Sequence, residues 1–318
     1  MQWILLAFLV VFGGWFLYQS GPVVPIEEPP ALAALPEDLE QFLRDSEAAV
    51  PDLDPDVAKT IVWADAEQKS RTEFSLVYLH GFSATHREIS PVPEQVARSL
   101  GANLFLGRLQ GHGQSSEAMA EPEVRDWLLD GLEALEVGRR LGDRVILMGT
   151  STGATLGTWL LSRPEASSVY AAVWVSPNFH PKDRNSRMLL QPWGLQLVKL
   201  VIGDYRSFEP ASPEQARFWT TRYRTEALLP MMGLVKLVEE LDVAAISTPL
   251  LIAYSPLDEV IDAELVASRF QEFGSQPKKL VKFEATRGSH HVIAGDILAP
   301  ENNELMIQTT LDFLKQLN

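Results

Sequence analysis

Apolar positions along the chain follow one regime from about Thr60 onward, where short β-prone runs alternate with helical patterns. The runs Phe74 to Leu79, Asn103 to Leu106, Val145 to Met148, Ala171 to Val175, Leu250 to Tyr254 and Leu280 to Phe283 are dominated by apolar or β-branched residues. Runs this short and this continuously apolar read as strands covered on both faces. Between them, Pro93 to Leu100, Val124 to Arg140 and Ala263 to Phe273 repeat apolar residues at helical spacing. The alternation predicts an α/β fold, a mostly parallel sheet with helices on both faces. Ligands of such a sheet bind beyond the carboxyl ends of its strands.

The alternation fails once, from about Asn178 to Val243, where helical patterns follow one another without a convincing strand. Arg187 to Ile202 and Ala227 to Leu241 are rich in Leu and Met, and Pro192 is placed to bend the first of them. Such a segment reads as an inserted helical subdomain that packs on the sheet, as a lid over an apolar pocket, or as both.

The N-terminus stands apart. Trp3 to Tyr18 is an uninterrupted apolar run, no charged side chain appears before Glu27, and Trp3, Trp15 and Tyr18 lie near its two ends. This pattern predicts an uncleaved transmembrane helix, because a positive leader region and a nearby small-residue cleavage site are both missing. With Arg44 the first basic side chain, only the α-amino group flanks the run positively. The soluble domain is accordingly expected on the outer, periplasmic face. Pro22, Pro25, Pro29, Pro30 and Pro36, with acidic residues between them, read as an extended linker, and Glu37 to Val50 as a short amphipathic helix. The organisation expected is an anchor at 1–26, an acidic Pro-rich linker with a short helix at 27–58, and a catalytic domain at 59–318 with its cap at about 178–243.

Composition narrows the function classes. The absence of cysteine removes disulfides, zinc–thiolate sites and thiol nucleophiles. A formal net charge of -15 repels phosphate backbones and leaves nucleic-acid binding without an electrostatic basis.

The strand Val145 to Met148 runs into Gly149-Thr150-Ser151-Thr152-Gly153 and then into a small-residue helix. G-x-S-x-G in that setting is a tight turn that forces the central residue into a strained conformation and exposes its hydroxyl. Ser151 is the candidate nucleophile. A serine needs an adjacent base, itself oriented by a carboxylate. Asp258 stands just past the strand Leu250 to Tyr254, with Glu259 and Asp262 as alternatives. His290 and His291 follow the last strand, and His291 is preferred because Val292 and Ile293 would seat it over the core. The backbone N–H groups of Thr152 and Phe82 are the candidate oxyanion donors. His80 reads as a loop-bracing residue and His112 as part of a turn. Glu239 and Glu240, at the end of an apolar helical pattern, read as a solvated face, with capture of a peptide amino terminus as the other role open to them.

His80-Gly81-Phe82 after one strand, Gly111-His112-Gly113 after the next, the Gly149 to Gly153 elbow, Asp258 and His291 together resemble the α/β-hydrolase superfamily. The spacing is most similar to its carboxylesterase and monoacylglycerol-lipase branch. The resemblance implies an α/β-hydrolase fold with a small helical cap inserted after the sixth strand, a Ser151-Asp258-His291 triad, no cofactor or metal, and hydrolysis of carboxylic esters or lipid-derived substrates. A peptidase or amidase of the same superfamily, or a non-catalytic binding protein on the same fold, are the competing readings.

Overall fold

The computed structural model describes residues 12–284 and 288–317. Nine strands are present among them: β1 (Thr60–Val62), β2 (Thr72–Leu79), β3 (Asn103–Leu106), β4 (Gly142–Thr150), β5 (Val169–Val175), β6 (Tyr205–Ser207), β7 (Arg222–Arg224), β8 (Leu250–Tyr254) and β9 (Lys278–Lys282). Seven build one sheet in the order β1-β3-β2-β4-β5-β8-β9. Only β1 runs antiparallel, to β3; the other neighbours pair in parallel.

The central strands β2, β4, β5 and β8 are apolar over most of their length because alternate residues serve two different cores. Val77, Leu79, Leu147, Trp174 and Ile252 point to one face. There they meet helices α1 (Leu39–Ala48), α3 (Val124–Leu141), α4 (Thr152–Leu161), α7 (Leu228–Glu239) and α8 (Ala263–Glu272). Leu76, Tyr78, Ile146, Met148, Val173 and Leu251 point to the other face, covered by α2 (Val92–Leu100) and α9 (Asn303–Lys315). The α/β-hydrolase architecture and its mostly parallel sheet are thus as the sequence indicates.

Two features differ. The cap leaves the sheet after its fifth strand, not its sixth: β5 is followed by the inserted segment, and only β8 and β9 come after it. The cap also contains an antiparallel pair, β6 with β7, besides α5 (Gly194–Ile202), α6 (Pro213–Phe218) and α7. The helical pattern from Arg187 is broken at Pro192, where Trp193 takes a left-handed φ of 63° and separates a 3-10 stretch, Arg184–Leu190, from α5. The cap is not uniform. Met232, Leu234, Val235 and Val238 of α7 belong to the main core, whereas Leu200 and Val201 of α5 are each 84% exposed.

The expected membrane-spanning helix is corrected. Among the described residues no helix is long and apolar enough to cross a membrane. Residues 3–11 of the apolar run lie outside the described residues, and the remainder belongs to a short helix at 12–19. The end of that helix meets the cap, where the Trp193 indole donates to the Leu17 carbonyl at 2.9 Å. The single-helix anchor and the periplasmic placement deduced from it therefore do not stand. The Pro-rich stretch that follows has no regular structure from 22 to 36. It is held against the body: Ile26, Leu32 and Leu35 pack on the core, and Arg140 donates to the carbonyls of Leu35 and Pro36.

A buried ionic cluster fastens α1 to the loop after β3. The Arg108 guanidinium grips the Glu47 carboxylate with two bonds of 2.7 and 2.8 Å and also donates to the His112 carbonyl. Beside it, Lys59 reaches Glu133 at 2.6 Å and Asp130 at 3.4 Å, while Asp130 accepts from the N–H of Gln110. Burial works against the Glu47 carboxylate, but Arg108 and Lys59 more than offset it and hold its pKa below the ordinary value. Removing one member of such a pair strands the other charge. Glu47→Ala is therefore expected to destabilise the fold by about 3–5 kcal/mol, read as a lower denaturant midpoint. The double change Glu47→Met with Arg108→Met should recover most of that loss.

Candidate active site

Strand β4 ends at Thr150 and α4 begins at Thr152, so a single residue, Ser151, makes the whole turn. Its φ of 51° and ψ of -115° lie outside the helix and strand regions. Close packing imposes this conformation. A β-carbon on Gly153 would fall 2.0 Å from the Leu79 carbonyl oxygen, and one on Gly149 would fall 2.7 Å from the Ala154 nitrogen. Helix α4 can therefore rest on the end of β2 only with glycine on each side of the turn. The Ser151 N–H is fixed by the Val175 carbonyl at 2.9 Å. The N–H groups of the first turn of α4, that of Thr152 leading, have no carbonyl within the helix to bond and carry its positive end.

The loop after β2 lies against this turn. His80 spans its base, with Nδ1 2.9 Å from the Gly81 carbonyl and Nε2 accepting from the Leu109 N–H at 3.0 Å. His112 does the same one layer out, with Nε2 accepting from Ser83 N–H at 3.1 Å and Nδ1 against the Gln110 carbonyl. These partners specify neutral rings protonated on Nδ1. Burial pushes His80 well below the ordinary imidazole value and His112 down to about 4. Both rings are braces, and neither has a nitrogen left to act as a base. The N–H groups of Gly81, Ser83 and Ala84 are committed to Glu88, His112 and the Gly81 carbonyl respectively. Phe82 lies within this run, with its ring edge-on to Tyr223 of the cap at 5.1 Å and near Trp127 and His112. The Thr220 N–H of the cap donates to the Ser83 carbonyl at 2.7 Å.

Asp258 sits in the turn after β8 and is 1% exposed. Its Oδ1 accepts from the N–H groups of Val260 and Ile261, at 2.8 and 3.0 Å, leaving Oδ2 to face His291 Nδ1 at 2.7 Å. The Lys182 ammonium holds the Asp258 carbonyl at 2.9 Å. Of the alternatives weighed from sequence, Asp262 caps α8 by accepting from the Leu265 N–H, and Glu259 is exposed. His290, half-buried at a φ of 57°, is not the histidine that meets Asp258. His291 is tied to the elbow through Ser176, whose hydroxyl donates to the His291 carbonyl at 2.7 Å one residue after the Val175 carbonyl that holds Ser151. Burial alone would lower the His291 pKa, but the charge of Asp258, its hydrogen bond and the more distant Glu88 carboxyl hold it above the ordinary value.

Sequence reasoning missed Glu88. It is 2% exposed and accepts from both the Gly81 N–H, at 2.6 Å, and the Tyr78 hydroxyl, at 2.8 Å. Its only outward sign in the chain is a carboxylate seven residues after Gly81, in a stretch read as loop. Glu239 pairs with Arg187 and Glu240 with Lys236, both on partly or fully exposed positions.

Comparison with known proteins bears on the fold and the family. The thermostable monoacylglycerol lipase of Bacillus sp. (strain H-257) is 25% identical over 240 residues, which cover 75% of this chain and 89% of that protein. Among solved structures, one reported for the metagenome-derived lipolytic enzymes LipS and LipT superposes with a TM-score of 0.64 at 19% identity, covering 83% of this chain and 100% of that one. A soluble variant of monoglyceride lipase from Saccharomyces cerevisiae gives 0.61 at 12% identity, over 82% and 92% of the two chains. At these identities the two structural likenesses show the fold alone. A family model described as alpha/beta hydrolase matches residues 76–297, from the middle of β2 to beyond His291, and the chain belongs to that family.

Proposed function

We propose that the protein is a serine hydrolase of carboxylic esters, acting through an acyl-enzyme on short or medium acyl esters or monoacylglycerol-like lipids. The observation that carries this reading is the conjunction of a strained, glycine-flanked Ser151 with a buried His291–Asp258 pair at 2.7 Å, joined through Ser176. In the reaction, Ser151 Oγ attacks the ester carbonyl and its proton passes to His291 Nε2. Asp258 fixes the tautomer by accepting from Nδ1 and stabilises the imidazolium. The oxyanion is met by the N–H groups of Thr152 and Phe82. The imidazolium then protonates the departing alkoxide, and water, deprotonated by the same ring, cleaves the acyl-enzyme. The lipase relatives support an ester or lipid-derived substrate.

The amide-cleaving alternative draws no support from the cap carboxylates, because Glu239 and Glu240 are occupied by their own basic partners.

Hydrolysis of p-nitrophenyl butyrate by the full chain is the direct test. Ser151→Ala is expected to cost on the order of a millionfold in kcat, and equal turnover by the parent and this variant would overturn the reading. The pH profile carries a second expectation. Only neutral His291 can take the serine proton, and its conjugate acid is stabilised by Asp258. The acid limb of kcat/KM should accordingly have its midpoint above about 6.5, with activity lost below it. Asp258→Asn removes the stabilising charge. It should move that midpoint to lower pH and reduce kcat by on the order of a thousandfold or more.

A further inference from the structure

We infer that Glu88 is a positioning residue of this site: its carboxyl group pins the Gly81 end of the oxyanion loop, ties it to the residue before the nucleophile, and presents a second acidic group to His291. The inference rests on the serine-hydrolase reading above.

The geometry is a short buried chain of hydrogen bonds. Gly81, next to the oxyanion donor Phe82, donates its N–H to Glu88 Oε1 at 2.6 Å. The Tyr78 hydroxyl donates to the same oxygen at 2.8 Å and lies 2.9 Å from Thr150 Oγ1, whose proton must then run toward the phenol. Thr150 immediately precedes Ser151. The chain therefore spans from the last position of β4 to the start of the oxyanion loop, beneath the two groups that must face one substrate carbonyl. Its members are sealed in: Tyr78 and Thr150 are 0% exposed and Glu88 is 2% exposed.

Glu88 is also close to the reacting side chains. A β-carbon placed on Gly81 would lie 3.0 Å from Glu88 Oε2 and 3.2 Å from Ser151 Cβ, so little more than the Gly81 backbone separates the carboxyl group from the nucleophile. The loop after His291 closes the other side, where a β-carbon on Gly295 would fall 2.4 Å from the Glu88 carbonyl oxygen. The Asp296 N–H bonds the Ser90 carbonyl at 2.8 Å. Three segments converge on this residue: the oxyanion loop, the elbow and the histidine loop.

A buried carboxyl group costs stability that an apolar side chain of the same size would not. A purely structural peg could be a glutamine, since Oε1 only accepts. The charge is what a glutamate adds. Burial pushes the Glu88 carboxyl up to about 7, against the opposing pull of the Gly81 N–H, the Tyr78 hydroxyl and His291. The titratable groups bearing on it are Tyr78 and His291; those bearing on His291 are Asp258 and Glu88; Glu94, in the first turn of α2, acts on Tyr78. Glu88 and His291 each act on the other's titration and so form a coupled pair. As the imidazole accepts the serine proton, the ionised form of Glu88 is favoured, and its charge stabilises the imidazolium in addition to that of Asp258.

The test is the pH profile of kcat/KM for p-nitrophenyl butyrate with the full chain, Glu88→Gln, Glu88→Asp, Tyr78→Phe and Ser151→Ala. Glutamine keeps an accepting oxygen for Gly81 and Tyr78 but carries no charge. Glu88→Gln is expected to shift the acid limb to lower pH by on the order of half a unit or more, because the imidazolium loses one of two stabilising charges. Glu88→Asp retains the charge and should leave the limb nearer to that of the parent. Tyr78→Phe breaks the link between Thr150 and the oxyanion loop, and should lower kcat about tenfold with KM little changed. A limb that stays put in folded Glu88→Gln would overturn the inference while leaving the serine mechanism intact, provided Ser151→Ala is silent. Turnover by Ser151→Ala would remove the mechanism and the inference together. If circular dichroism finds Glu88→Gln unfolded, the native enzyme decides: the downfield Nδ1–H proton of His291 should titrate in two steps by NMR, and a single step would overturn the coupling.

Discussion

The site depends on one steric constraint, the contact between the start of α4 and the end of β2. With Gly153 pressed onto the Leu79 carbonyl and Gly149 onto the backbone of α4, no room remains for Ser151 to adopt an ordinary conformation. The strain costs on the order of 1–3 kcal/mol, and the flanking core meets that cost. Leu147 and Leu156 lie in one apolar cluster, Met148 in the other, and all three are fully buried. The same contact brings the first N–H groups of α4 beside the loop that carries Phe82. The backbone strain at Ser151, its position at the carboxyl end of the sheet and the placement of the Thr152 N–H are therefore a single packing event.

A second layer of order comes from buried polar groups, each used to hold backbone. His80 and His112 stitch the two loops that follow β2 and β3, and the carbonyl of His112 is in turn held by Arg108, which answers to Glu47 on α1. A path of hydrogen bonds thus leads from α1 to the loop that carries Phe82. Buried ion pairs are weak sources of net stability, yet breaking one is costly. Their value here is geometric, since bidentate guanidinium bonds fix distance and angle where apolar contacts would allow sliding.

Much of this was legible in the sequence because the signals were local. Continuous apolar runs marked β2, β4, β5 and β8, and the G-x-S-x-G elbow, the turn after β8 and the histidine after β9 each lie within a few residues of a readable strand. What was not legible had no local signature. The strands β1, β6 and β7 are three residues each, and Tyr205–Ser207 and Arg222–Arg224 are too polar to show a period. Glu88 ends a three-residue 3-10 turn, His86–Glu88, and only the tertiary approach of Tyr78 and Gly81 makes it notable. The N-terminal apolar run was misread for the converse reason. Its composition fits a membrane span, but composition cannot register that Trp193 of the cap bonds the Leu17 carbonyl.

The contacts between the cap and Phe82 have a consequence for substrate choice. Tyr223 packs its ring on Phe82, and the neighbouring Thr220 N–H holds Ser83. The β6–β7 hairpin of the cap and the loop that carries Phe82 are thus mechanically one piece. Anything that displaces the hairpin would therefore also move the backbone on either side of Phe82. On the proposed ester-hydrolase reading, a misfitting ligand would then fail by reacting poorly more than by binding poorly, and discrimination among acyl groups would be written in turnover more than in occupancy.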